Sequence, residues 1–334
     1  MANPIKLVTG GCGFVGRHLV KKLLSEGSEV WIIDNLFSGK HPNNWLSGAE
    51  KERIKFIHED LAKFLQTNPD LPKFDEVYHL AALVGGRAVL IEQNPLFVAY
   101  DQAIDSAFFS WIAKNREKIG RVLYASSSVA YPYKFQSREI GKRVAMKEEF
   151  LDVRGNLKDV GLPESIYGWI KVNGEYLAGV TAKKYGVPIV CVRPFSGYGV
   201  DQDLSYPISS IALRAAKQEN PLVVWGSGEQ SRDFVYIDDF VDALCLVIKK
   251  ISDGSGVNIG HGVATNFKEV AQLMAELEGY QPEIKPLLEK VEGSFTVLAD
   301  PTLLKSLGWQ PKVSLREGFR KVLESVKKEI KNSP

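Results

Sequence analysis

The chain has 334 residues, 45% hydrophobic and 25% charged, with 29 glycines, a composition ordinary for one large α/β domain or two closely joined ones. A net charge of +2 argues against a nucleic-acid-binding surface, without excluding a local anion site. Three scattered cysteines, Cys12, Cys191 and Cys245, lack metal-ligand spacing and argue against a disulfide framework, and no apolar run approaches the ~20 residues that span a bilayer.

The first residues, MANPIKLVTGG, enter a strand-like run at once and leave no room for a signal peptide, so a cytoplasmic location is expected. Candidate strands follow at 5–8, 29–33, 54–58, 76–80, 121–125 and 188–193, separated by amphipathic stretches such as 15–26, 94–118 and 165–185. This alternation predicts an α/β fold, a doubly wound parallel sheet with helices on both faces. After Arg193 the rhythm changes to longer loops, with helices near 207–218, 238–251, 267–278 and 315–331. These predict a smaller C-terminal α/β region for substrate. The expected division is 1–195 and 196–334, with allowance for the chain to cross between the two.

Residues 8–16 read V-T-G-G-C-G-F-V-G, placing Gly10, Gly13 and Gly16 between the first strand and the first helix. Glycines allow the sharp turn and let backbone N–H groups approach a pyrophosphate at the helix N-terminus, so the stretch is a candidate dinucleotide site that includes Phe14 and Val15. The second strand ends at Asp34, 18 residues after Gly16. A carboxylate there accepts hydrogen bonds from a ribose diol and repels a 2′-phosphate, which favours NAD over NADP. Asn35 and Ser38 follow it. Asp60 and Leu61, in HEDL, suit the adenine, and Leu80, Ala81 and Ala82, in HLAA, leave room for pyrophosphate and ribose. His58 and His79 read as structural.

Residues 167–171 read Y-G-W-I-K and place Tyr167 and Lys171 on one helical face. The ammonium should lower the phenol pKa from about 10 and make Tyr167 a base towards a sugar hydroxyl. Roughly 40 residues upstream, S-S-S-V-A-Y-P closes the strand at 121–125. A serine cluster at the C-terminal edge of a parallel strand is where an active site is expected.

The ordered set TGGCGFVG, DNLFSG, HEDL, HLAA, SSSVAYP, YGWIK, RPFSGYG, WGSGEQSRDFVYIDD and ADPTLLKSLGWQP resembles, nearly end to end, the extended short-chain dehydrogenases/reductases of the nucleotide-sugar epimerase/dehydratase family. The resemblance implies a Rossmann-type sheet, NAD, a nucleoside-diphosphate sugar substrate, and hydride exchange at a hexose carbon through a Ser–Tyr–Lys triad. The family's serine stands four residues before a motif tyrosine, here Tyr131, which makes Ser127 the catalytic hydroxyl. Ser126 and Ser128 become supporting hydrogen-bonders, with Ser128 also near the substrate. A homodimer is implied, built by pairing the helices at 94–118 and 165–185. An NAD-sensing protein on this fold is the non-enzymatic alternative, and the presence of Ser127, Tyr167 and Lys171 argues against it.

Relatives that do more than move a hydride carry an extra acid/base group just after the catalytic hydroxyl: Asp-Glu in 4,6-dehydratases, Glu in UDP-glucuronate decarboxylases, and Cys in GDP-fucose synthases and GDP-mannose 3,5-epimerases. Here those positions are Ser128 and Val129. Valine transfers no proton, so C4 epimerisation is favoured, with C4 dehydrogenation as the alternative and 3,5-epimerase, dehydratase or decarboxylase chemistry behind it. The stretch AALVGGRAVLIEQNP is closer to the GDP-mannose epimerase and fucose synthase branch than to UDP-galactose 4-epimerase. Its Gly85 and Gly86 are expected to let the chain approach the sugar, with Arg87 a candidate to reach a hydroxyl or phosphate. Trp225 suits stacking on the base, and Arg232 matches the arginine that clamps the diphosphate. Several positions depart from the family: Ser196 replaces an Asn, Val291 a phosphate-binding Arg and Ser294 a ribose-binding Asp. An altered nucleotide or an unusual sugar would account for these departures.

Overall fold

A computed structural model describes residues 3–83, 95–140, 143–154, 161–290 and 292–332. The strands, in chain order, begin with β1 (Ile5–Thr9), β2 (Glu29–Asp34), β3 (Ile54–His58), β4 (Phe74–His79), β5 (Ile119–Ala125), β6 (Ala145–Met146) and β7 (Ile189–Pro194). They continue with β8 (Ser196–Tyr198), β9 (Leu222–Trp225), β10 (Ser231–Tyr236), β11 (Asp253–Ile259), β12 (Ala264–Asn266), β13 (Ile284–Leu287) and β14 (Thr296–Ala299). Two compact units result. The first comprises 1–130, 151–193 and 241–257, and the second 131–150, 194–240 and 258–334.

In the first unit a seven-stranded parallel sheet has the order β3-β2-β1-β4-β5-β7-β11, the doubly wound arrangement expected from the sequence. The strand order reverses between β1 and β4, which run parallel, so their C-terminal ends open the crevice in which such sheets bind ligands. The last strand, β11, escapes sequence reasoning because DGSGVNI has too few apolar residues to read as one. It joins the sheet from the far half of the chain.

One face of the sheet is covered by the helices Pro95–Lys114 and Ile166–Tyr185, over a core that includes Leu7, Phe74, Val77, Phe108, Ile112, Tyr124, Ala178 and Ile189. Helix Ile166–Tyr185 starts where the Ser165 hydroxyl accepts the Gly168 amide and stops at Gly186, whose φ of 70° continues no helix. Helices Phe14–Ser25 and Ile237–Lys250 are tied by the ion pair of Lys22 with Asp242 at 2.9 Å.

The second unit contains a five-stranded sheet, in which β12, β10, β14 and β6 lie in that order and β8 pairs with β10, and a separate β9–β13 pair. Two aspartates of RDFVYIDD organise it. Asp233 accepts the amides of His261, Gly262 and Ala299, and Asp239 those of Lys312 and Val313. Among the described residues, no helix is long and apolar enough to cross a membrane.

A buried clasp pins helix Ile166–Tyr185 to the sheet. Glu175 receives Arg193 through Nε at 2.9 Å and Nη2 at 2.6 Å, and the Ser126 hydroxyl at 2.6 Å. Removing one partner leaves a buried, uncompensated charge. Glu175→Ala should therefore lower unfolding free energy in urea by about 3–5 kcal/mol, and Ser126→Ala by about 1 kcal/mol.

Candidate active site

The loop after β1 is shaped by backbone packing. Gly10 has a φ of 71°, and a Cβ there would lie 2.7 Å from the Ala81 nitrogen, so only glycine lets this loop meet the one after β4. A Cβ on Gly16 would collide with the Gly10 carbonyl, whereas one on Gly13 would make only an ordinary contact with that carbonyl at 3.4 Å. Gly13 thus faces open space at the start of helix Phe14–Ser25. It caps that helix without a side chain, which leaves first-turn N–H groups available to an anion. Phe14 and Val15 begin the helix, both half-buried.

Asp34 braces this loop. One carboxylate oxygen accepts the Cys12 amide at 2.9 Å and the other the Leu36 amide at 2.7 Å. Burial raises its pKa, and those two amides partly offset the rise. Each oxygen keeps a lone pair for a ligand hydroxyl. Asn35 accepts the Phe37 amide and donates to the Tyr100 hydroxyl, while Ser38 is exposed. Asp60 caps the next helix through the Lys63 amide and also receives the Tyr100 hydroxyl, and Leu61 is buried behind it. The residues present fit a dinucleotide: an open glycine, free helix-end donors and a carboxylate at the end of β2.

Thr9, His79 and Tyr124 are in register across β1, β4 and β5. The Thr9 hydroxyl and His79 Nδ1 are 2.7 Å apart, His79 Nε2 is 3.2 Å from Asp105, and the Tyr124 hydroxyl donates to Asp105 at 2.6 Å. Thr9 also accepts the Ala81 amide at 3.4 Å, and Leu80, Ala81 and Ala82 are half-buried along the loop. His79 stacks flat on Phe108 at 3.8 Å, and burial pulls its pKa down. It is a structural histidine, as its sequence context suggests.

Tyr167 and Lys171 share one face of helix Ile166–Tyr185. The Lys171 ammonium lies 5.4 Å from the centre of the Tyr167 ring and 5.2 Å from that of Tyr124, and the side chain is 2% exposed. Burial alone would lower its pKa, but the Tyr167 oxygen, Asp105 and Asp101 outweigh it and hold the ammonium above its ordinary range. Ser127 lies two residues past the end of β5, and its hydroxyl accepts the Val129 amide at 3.3 Å. A side chain at Gly168 would strike the Val129 carbonyl, so the backbone at position 129 sits against the start of the helix. Ser128 is buried; Ser126 binds Glu175. Glu175, which holds Ser126 and Arg193, is a structural support that sequence reasoning missed. Its signal was an acid one turn beyond Lys171 on a helix packed against the sheet.

The remaining candidates belong to the second unit or lie outside the described residues. Gly85, Gly86 and Arg87 are in the latter group. Ser196 opens β8, and Trp225 ends β9 at 52% exposure with the Lys290 ammonium 5.5 Å from its ring. Arg232 donates to the carbonyls of Ser231 and Ser294 at 2.7 and 2.9 Å. Tyr131 donates to Asn258 at 2.7 Å in the interior of this unit. Among the described residues, no group of three or more His, Cys, Asp or Glu is placed to hold a metal.

Comparison with known proteins gives concordant matches. The model of the NAD dependent epimerase/dehydratase family matches residues 6–260. UDP-glucuronic acid decarboxylase 1 of Xenopus tropicalis is 30% identical over 332 residues, covering 98% of this chain and 73% of that protein. A putative UDP-glucose 4-epimerase of Methanocaldococcus jannaschii is 29% identical, covering 96% and 98% of the two chains. Among solved structures, UDP-glucose 4-epimerase of Thermotoga maritima with UDP-glucose is similar at a TM-score of 0.80 and 28% identity, covering 98% and 99%. UDP-glucuronic acid 4-epimerase of Bacillus cereus, in complex with UDP-glucuronic acid and NAD, has a TM-score of 0.78 at 27% identity, covering 97% and 99%.

The packing at the three glycines separates binding from folding. Gly13→Ala should melt within a few degrees of the unsubstituted protein but bind NAD at least about tenfold more weakly in calorimetry, a loss of ~1.4 kcal/mol. Gly16→Ala should instead destabilise the fold by about 1–3 kcal/mol, because the backbone has to move.

Proposed function

This chain belongs to the NAD-dependent epimerase/dehydratase family, and on that footing we propose that it is a nucleotide-sugar 4-epimerase working through a transient 4-keto sugar. The observation that carries the reading is the buried Lys171 ammonium 5.4 Å from the Tyr167 ring, one turn away on the same helix, in a chain that has Ser127 after β5 and valine at 129. Lys171 favours the phenolate, so Tyr167 takes the proton of the C4 hydroxyl, and Ser127 hydrogen-bonds the same oxygen. NAD, when bound, accepts hydride from the sugar carbon and returns it. Tyr167 then gives its proton back to the oxygen of the inverted carbon. Asp34, half-buried and engaged by two amides, favours a ribose diol over a 2′-phosphate.

Val129 offers no second proton-transfer group where elimination or C3/C5 inversion would use one. On the substrate side, Trp225 would stack on the base, Arg232 hold the diphosphate, and Ser128 and Ser196 meet the sugar end, with Gly85, Gly86 and Arg87 proposed from sequence alone. Three buried, unpaired cysteines support a cytoplasmic setting. A homodimer is proposed through helices Pro95–Lys114 and Ile166–Tyr185. Trp169, Tyr176 and Val180, at helical spacing, are 45, 40 and 39% exposed there.

A second reading has its own support, the likeness to UDP-glucuronic acid decarboxylases along nearly the whole chain. A ketone at C4 is β to a C6 carboxylate, so it can itself take up the electrons when CO₂ leaves. Valine at 129 does not forbid that step.

Product yield per active site separates these readings. The purified protein, without added cofactor, is incubated with excess UDP-glucose, UDP-glucuronate and GDP-, CDP- and dTDP-hexoses, and followed by NMR and by absorbance of reduced nicotinamide. Many turnovers to a C4-inverted sugar are expected. A yield that stops near one per site with reduced nicotinamide accumulating would favour a dehydrogenase, and release of CO₂ with a UDP-pentose a decarboxylase. Tyr167→Phe should lower kcat by about 10²–10⁴-fold. Light scattering should give a dimer, and Tyr176→Glu a monomer.

A further inference from the structure

Helix Pro95–Lys114 carries two carboxylates one turn apart, Asp101 and Asp105, both buried. Buried carboxylates are costly unless their oxygens are engaged. Asp105 meets that requirement through the Tyr124 hydroxyl and His79. Asp101 does not. Its Oδ1 accepts the Leu83 amide at 2.8 Å, while Oδ2 is buried with no hydrogen-bond partner among the described residues. Packing gives no reason for two acids here, since apolar residues of similar volume would serve as well or better.

A nearby cation gives the reason. The Lys171 ammonium lies over the Tyr124 ring, whose hydroxyl Asp105 holds, and also 5.4 Å from the centre of the Tyr167 ring. Buried among rings, that ammonium has the two carboxylates as counter-charges. We propose that Asp101 and Asp105 are positioning residues that balance Lys171 and so raise the proton affinity of Tyr167 into a range where it both takes and returns a proton. The proposal rests on the acid/base role given to Tyr167 above. An enzyme that reverses its own first step needs this balance, because a phenol facing an uncompensated buried ammonium is too acidic to give its proton back.

The groups around Asp105 are His79 on β4, Tyr124 on β5, Asp101 on its own helix, and Lys171 with Tyr167 beyond it on helix Ile166–Tyr185. Burial keeps His79 neutral and keeps the Tyr124 phenol protonated. The charges acting on Tyr167 from this side are therefore one ammonium, which lowers its pKa, and the carboxylates, which oppose it. Neutralising a carboxylate moves the Tyr167 midpoint down.

The test reads that midpoint directly. Protein labelled with ¹³Cζ-tyrosine and saturated with NAD is titrated by NMR, with the Tyr167 resonance assigned by its loss in Tyr167→Phe. Asp105→Asn and Asp101→Asn should each lower the midpoint by about one pH unit or more, the effect of one charge within about 12 Å at an effective dielectric of ~20. Asn keeps the shape and one acceptor oxygen. If Asp105→Asn does not fold, Asp101→Asn, whose single hydrogen bond is to a backbone amide, carries the test. A midpoint that stays in place or rises, with only melting temperature affected, would make the pair structural and overturn the proposal. Turnover of Tyr167→Phe is scored separately: if it survives, the acid/base reading fails, whatever the titration shows.

Discussion

A charge taken into a protein interior costs several kcal/mol unless its surroundings answer it, and helix Ile166–Tyr185 takes in two, Lys171 and Glu175, one turn apart. Much of the first unit can be read as the answer to that constraint. Glu175 is met by Arg193 at the end of β7 and by Ser126 at the end of β5, so it fixes the helix against the strand edge that carries Ser127. Lys171 is met by the Tyr124 and Tyr167 rings and, beyond them, by Asp105 and Asp101. Gly174 makes the approach possible, since any side chain there would overlap the Tyr124 hydroxyl. Helix position, strand ends and the polarity beneath the site are thus set together.

The parts legible in the sequence are those whose signal is local. Six strands of the large sheet were readable because each is a short apolar run followed by turn or helix residues, and the glycine loop because its spacing is bounded by a strand and a helix. The Tyr167–Lys171 pair needed only the helical period. β11 was not legible, because its place depends on hydrogen bonds offered by β7 rather than on its own residues. Asp105 and Glu175 were not legible either. Each is an ordinary acid on a helix until the fold brings His79 and Tyr124, or Arg193 and Ser126, to it from 18 to 49 residues away in sequence.

Roles proposed for the second unit were harder to anticipate for a further reason: the candidate groups already carry structural duties. Arg232 already holds the carbonyls of Ser231 and Ser294, and so braces the segment in which the family's ribose-binding Asp is replaced by Ser294. Arg138 pairs with Glu292, which also engages Ser227 in the turn after Trp225. A guanidinium is therefore present beside Ser294, and it is not supplied by the residue the family pattern names. Under the proposed function, nucleotide preference would be set here by a different group of side chains.

Val129 limits the chemistry that the proposed site can carry out. A hydride shift at C4 needs one group that moves a proton, the part proposed for Tyr167 with Lys171 and Ser127. What happens after the ketone forms depends on what else is within reach. Elimination across C5–C6 and inversion at C3 or C5 require a second acid/base group, and position 129, lying against the start of the Tyr–Lys helix, contributes a methyl-bearing side chain that cannot be one. Loss of CO₂ differs, because the substrate carries both the leaving group and the ketone that receives its electrons. A family whose members are named for epimerisation and for decarboxylation can therefore share one catalytic core. In this chain, the presence or absence of a carboxylate at C6 of the bound sugar would decide more about the outcome than any residue beside Tyr167.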